Sequence, residues 1–192
     1  MIKQGTIRFL FLLSITISFN TIISQPIHFT NETIEIKIYD GYAIINGSYT
    51  FVGNNKVTTL FYPFPVNQYY AYPDSIFVTD LNNKEIRYTK SSSGIYFSIS
   101  TLPDSETVIK VSYKQRLTSD EMKYILTTTQ QWKHPLRKAE YIISLPAEFE
   151  LQNISITPDR SDSDSNHNIY YIYKENFMPE TDLIVTWARR KE

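Results

Sequence analysis

The residues of this 192-residue chain that could do chemistry are few and scattered. Asp159-Arg-Ser-Asp-Ser163 spells an Asp-x-Ser-x-Ser metal-ion motif. That motif needs a buried hydrophobic strand before it and a helix after it. Here Pro158 precedes it and more Ser, Asp and Asn follow, so the expectation is a solvated loop. Asp162-Ser-Asp-Ser-Asn166 matches the opening of a calcium loop, but His167 stands where the loop needs glycine and Tyr173 where it needs glutamate. His28, His134 and His167 are far apart and lack the close ligand spacing of zinc sites. A Ser/His/Asp triad converges in space and cannot be read from spacing. No Gly-x-Ser-x-Gly elbow is present. With no cysteine, thiol catalysis, cysteine-based zinc sites, iron–sulfur clusters and disulfides are all excluded. The expectation is a non-catalytic protein with no metal and no cofactor.

Binding is the better-supported class. Tyr69, Tyr70 and Tyr72 share the loop Asn67-Gln-Tyr-Tyr-Ala-Tyr-Pro-Asp74, and Trp132 sits in a second loop, Gln130-Gln-Trp-Lys-His-Pro135. Such rings can stack on a sugar or anchor a protein partner. In a chain with fifteen tyrosines, the commoner outcome is that one or two fold back over the end of the core. The partner expected is a protein at the cell envelope or outside the cell, the alternative a glycan. Nucleic acid is not expected, because the net charge of −1 offers no basic surface for phosphates.

The elements that must position these residues are strands. Ile34, Ile36 and Ile38 alternate with Glu35, Lys37 and Tyr39, the period of a strand with one buried face. Asp40-Gly41 supplies a tight hairpin turn. The return strand places Ala43, Ile45, Tyr49 and Phe51 on one face. A third strand runs to Tyr62, where Pro63 and Pro65 stop the ladder. Further strands are expected at 75–79, 85–89, 95–100, 107–117, 122–131, 138–145, 149–157, 169–174 and 182–188, with turn signals between them. Met122 to Gln131 offers a helix start at Ser119, but its alternation and three consecutive threonines favour strand. The expected fold is an all-β antiparallel sandwich of about twelve short strands in a single domain, residues 25–192.

Residues 1–24 read as a signal peptide. Lys3 and Arg8 precede the apolar run Phe9 to Phe19, which is shorter and more polar than a membrane span. Cleavage after Ser24 and retention as an anchor both stay open. With no cysteine after the run, a lipid anchor is excluded. A secreted, periplasmic or cell-surface location follows, with no stable transmembrane span after cleavage. Asn31-Glu-Thr33, Asn46-Gly-Ser48 and Asn153-Ile-Ser155 are glycosylation acceptors if the host glycosylates.

The span Ile34 to Ile86 resembles the start of VIT (vault protein/inter-α-trypsin) domains. Those show a small-residue strand leading into Phe-x-Asn, then a strand ending in Tyr-x-Phe-Pro-Leu-Pro. The counterparts are Ala43, Phe51 with Asn54, and Tyr62-Pro63-Phe64-Pro65-Val66. Two departures are Asn54, three residues after Phe51 instead of two, and Asn67 in place of the last proline. The second half resembles secreted β-rich families. The resemblance implies an extracellular interaction module and carries over no catalytic residues.

Overall fold

The computed structural model describes residues 27–53, 56–103 and 105–190; the expected signal peptide at 1–24 lies outside the described residues. The strands are β1 (His28–Tyr39), β2 (Tyr42–Val52), β3 (Lys56–Pro63), β4 (Asp74–Asp80), β5 (Tyr88–Ser91), β6 (Gly94–Thr101) and β7 (Glu106–Arg116). They continue with β8 (Glu121–Tyr124), a 3₁₀ helix (Thr127–Trp132), β9 (Leu136–Pro146), β10 (Phe149–Ile154), β11 (Arg160–Ser163), β12 (His167–Phe177) and β13 (Leu183–Arg189). Among the described residues no helix is long and apolar enough to cross a membrane.

One layer is a seven-stranded sheet in the order β11-β12-β9-β1-β2-β7-β4. Its inner face is covered by two three-stranded sheets, β3-β6-β5 and β10-β13-β8. One buried cluster joins all three, with Ile34, Ile45, Val111 and Ile143 from the large sheet meeting Phe97, Ile99, Met122 and Val185 from the small ones. Burying one such aliphatic side chain is worth about 1.5–3 kcal/mol, which lets a chain without disulfides hold together by packing. The alternation in β1 and β2 is as the sequence implies: Ile34, Ile36 and Ile38, and Ala43, Ile45, Tyr49 and Phe51, all face inward. Gly41 turns the hairpin at φ +76°.

Three details depart from the sequence reading. The sandwich is antiparallel except at one pairing, where β1 runs parallel to β9 in the register Ile34↔Tyr141. A crossover of about a hundred residues separates those strands, so no local turn signal marks the pairing. The strand expected at Met122–Gln131 stops at Tyr124 and gives way to the 3₁₀ helix. The cause is remote in sequence. Asp182 Oδ1 accepts hydrogen bonds from the backbone N–H of Leu126 (3.0 Å) and Thr127 (3.0 Å) and from the Thr127 hydroxyl (2.8 Å). Those bonds satisfy helix-end donors that a strand would have spent on a neighbour. Finally, the polar stretch after Pro158 contains β11, paired with β12, so Asp159–Ser163 belongs to a hairpin and not to a loop.

Candidate functional site

The inner face of β1 carries one acid. Glu32 is in phase with Ile34, Ile36 and Ile38 and is 4% exposed. A bulge sets its neighbour. The β1–β2 register passes from Phe29↔Phe51 to Asn31↔Thr50, leaving Thr30 as an extra residue. Residues three apart on a regular strand point to opposite faces, and the bulge turns Phe29 and Glu32 to the same one.

Three tyrosine hydroxyls meet beside this acid. Tyr49 of β2 lies 2.6 Å from the Tyr62 hydroxyl of β3 and 2.6 Å from that of Tyr124 in β8; Tyr62 and Tyr124 are 3.3 Å apart. The triangle therefore stitches the large sheet to both small ones. Gly47 makes room for it, because a β-carbon there would overlap the Tyr49 hydroxyl and come 2.6 Å from its Cε2. Burial, the largest influence, holds all three phenols well above their ordinary range, so each stays a neutral donor and acceptor.

The 3₁₀ helix closes the space over these groups. Ile125, Thr128, Thr129 and Trp132 face Phe29, Glu32, Tyr49, Phe51, Leu60, Phe61, Tyr62, Pro63, Phe97 and Tyr124 across a cavity of about 70 Å³. Trp132 is half-buried, 5.9 Å from Phe29 and 5.7 Å from Phe51 between ring centroids. Lys123 bridges Asp182 at 2.9 Å, so the helix anchor is itself held. Burial pushes the Asp182 carboxyl up, but bonds from Lys123, Thr127 and Leu126 outweigh it and leave the group below its ordinary range.

Among the described residues Glu32 is the only acidic or basic side chain on the cavity wall. Its Oε1 accepts a hydrogen bond from the Tyr141 hydroxyl of β9. Among the described residues no hydrogen bond reaches Oε2, and no lysine, arginine or histidine lines the cavity. Burial raises its pKa from 4.5 to about 7, against the smaller opposing pull of the Tyr141 bond. A carboxyl pushed up toward neutrality in an aromatic cavity is the kind of group from which binding and catalytic sites are built, and it marks this cavity as the candidate site.

The sequence-derived binding residues divide. Trp132 is in the cavity wall. Tyr69 is 51% exposed on its loop. Tyr70 is buried and donates its hydroxyl to Glu121 Oε1. Tyr72 is half-buried, donates to the Gly94 carbonyl at 2.8 Å and meets Phe64 edge-on at 5.5 Å. Glu32 and the tyrosine triangle escaped sequence reasoning. Extending the Ile34–Ile38 alternation back by one step would have placed Glu32 on the buried face.

The acidic motifs have local work. Asp159 accepts the Tyr173 backbone N–H at 2.7 Å and pairs with Lys174 at 3.2 Å. Asp164 accepts the N–H groups of Asn166 and His167, both at 2.7 Å. The structure brings His28 and His134 together edge-to-face at 4.9 Å, though they are distant in sequence.

No family model matches the chain, and no curated protein matches it. Among solved structures, it is similar to a candidate nutrient binding protein from Legionella pneumophila, with TM-score 0.66 and 19% identity, over 86% of this chain and 68% of that one. It is also similar to an M1 zinc metallopeptidase from Deinococcus radiodurans, with TM-score 0.53 and 9% identity over 83% of this chain. This chain spans 42% of that peptidase's length. At these identities the likeness shows a shared all-β sandwich fold.

Proposed function

We propose that the protein is an exported, non-catalytic binding module that holds its ligand, or a group projecting from a protein partner, in the cavity between Glu32 and Trp132. The observation that carries this reading is the buried Glu32 carboxyl, with no cationic partner among the described residues, facing an aromatic cavity. An ionised carboxyl buried without a counter-ion costs free energy, which is why this one keeps its proton up to about pH 7, and a bound donor or cation would offset that cost. The hydroxyls around it are held protonated and bonded to one another, which makes them recognition groups and poor nucleophiles. The basic and apolar leader at 1–24 and the VIT-like span Ile34–Ile86 support an extracytoplasmic interaction module. The candidate nutrient binding protein among the solved structures of this fold supports the binding part of the reading alone.

Native mass spectrometry of the protein purified without denaturation from its own host tests this. The expected result is a bound mass on the wild type that is reduced on Trp132→Ala. A bare mass for the wild type, unchanged on incubation with host envelope extract, would overturn it.

A further inference from the structure

We propose that the cavity recognises a primary ammonium group on a short alkyl chain, with Glu32 as its counter-ion and the tyrosine hydroxyls as its remaining acceptors. This deepens, and rests on, the reading of the cavity as a ligand site.

Charge comes first. The wall holds one carboxyl, with Oε1 engaged by Tyr141 and no bond to Oε2 among the described residues. An anion would be repelled by it. A neutral ligand would favour the protonated carboxyl, while a cation would pair with the ionised one. The walls favour the same sign, because the faces of Tyr49, Tyr62, Tyr124 and Trp132 attract cations.

Donor count and size narrow the cation. An ammonium has three N–H donors. Glu32 Oε2 takes one. In the tyrosine triangle the three oxygens carry two lone pairs each and share three contacts among them, so acceptor capacity remains for the others. A guanidinium brings five donors in a rigid plane and would leave several of them unmet. About 70 Å³ of space open to water-sized groups accommodates an ammonium with a few methylenes, since about 10–15 Å³ of such space holds one water. Phe29 and Phe51, in contact with Trp132, supply apolar surface for that chain.

The proposal also fixes a pH dependence. The titratable groups facing Glu32 are Tyr141 from β9, Tyr49 from β2, Tyr62 from β3 and Tyr124 from β8, and burial keeps each of them protonated. Glu32 therefore titrates alone, near pH 7, and only its ionised form pairs with an ammonium. Affinity should rise about tenfold from pH 6 to pH 8, with a proton released on binding at the lower pH.

The test uses n-butylamine, its neutral isostere n-butanol and a lysine-containing tripeptide, titrated calorimetrically into the intact protein. Butylamine should bind at pH 8 and about tenfold more weakly at pH 6. Butanol should bind at least tenfold more weakly than butylamine, and Glu32→Gln should lose both the amine affinity and its pH dependence. If the tripeptide binds more tightly than butylamine, the natural source is a partner's lysine; if it binds more weakly, the source is a free amine. Equal binding of butanol, retained affinity in Glu32→Gln, or no binding of either amine would overturn the proposal. A neutral molecule found in the cavity by mass spectrometry would overturn it too, while leaving the binding-module reading intact.

Discussion

Glu32→Gln should flatten the pH dependence of folding. The carboxyl has an ordinary value of 4.5 and a folded value of about 7. A raised folded value means that the native state holds its proton more tightly than the unfolded chain. The stabilising contribution is complete below pH 4.5 and is lost as pH rises through 7. At roughly 1.4 kcal/mol per pH unit the gap amounts to about 3 kcal/mol, most of it lost between pH 5 and pH 8. Glutamine keeps an acceptor for the Tyr141 hydroxyl and carries no charge to bury. Urea unfolding at several pH values is the assay, because groups elsewhere titrate identically in both proteins and cancel. Wild type should lose roughly 2–3 kcal/mol relative to Glu32→Gln between pH 5 and pH 8. Parallel curves would show that Glu32 is solvated or neutralised in solution, and the electrostatics drawn for the cavity would then be wrong.

Other substitutions separate the supports of the cavity. Gly47→Ala should destabilise by about 1–3 kcal/mol in urea, because the Tyr49 ring it would meet is pinned by two hydroxyl bonds. Combining it with Tyr49→Ala should cost less than the sum of the two changes. Asp182→Ala removes three bonds to the start of the 3₁₀ helix and should cost about 2–3 kcal/mol. Its Trp132 fluorescence should shift as that wall loosens. Asp182 sits below its ordinary 3.8, so its contribution is present above that value and fades only as pH falls beneath it. Tyr69→Ala should leave stability within about 0.5 kcal/mol, whereas Tyr70→Phe, which orphans a bond to Glu121, should cost about 1–2 kcal/mol. Loss of partner capture in Tyr69→Ala would assign that exposed ring a binding role of its own.

Much of the fold was legible because β1 and β2 state their burial twice, in alternation and in the Asp40-Gly41 turn. Signals that act between neighbours survive in one sequence. The parallel β1–β9 pairing and the 3₁₀ helix did not, because each is decided by a distant partner: Tyr141 beside Ile34, and Asp182 beneath Thr127. The site failed to show for the same reason. Tyr49, Tyr62 and Tyr124 come from three sheets, and nothing in their spacing marks them as neighbours. Trp132 was singled out because a large aromatic in a polar loop is conspicuous. Glu32 was not, because an acid at a strand's start reads as solvated, even in phase with Ile34, until the cover from β8 and the 3₁₀ helix is known.

The most direct measurement is a high-resolution crystal structure of the protein isolated from its own host and kept at pH 8. An occupant other than water, within hydrogen-bond reach of Glu32 Oε2 and in contact with Trp132, is the predicted result. A cavity holding only water, with the Glu32 carboxyl turned toward a neutralising side chain, would contradict it.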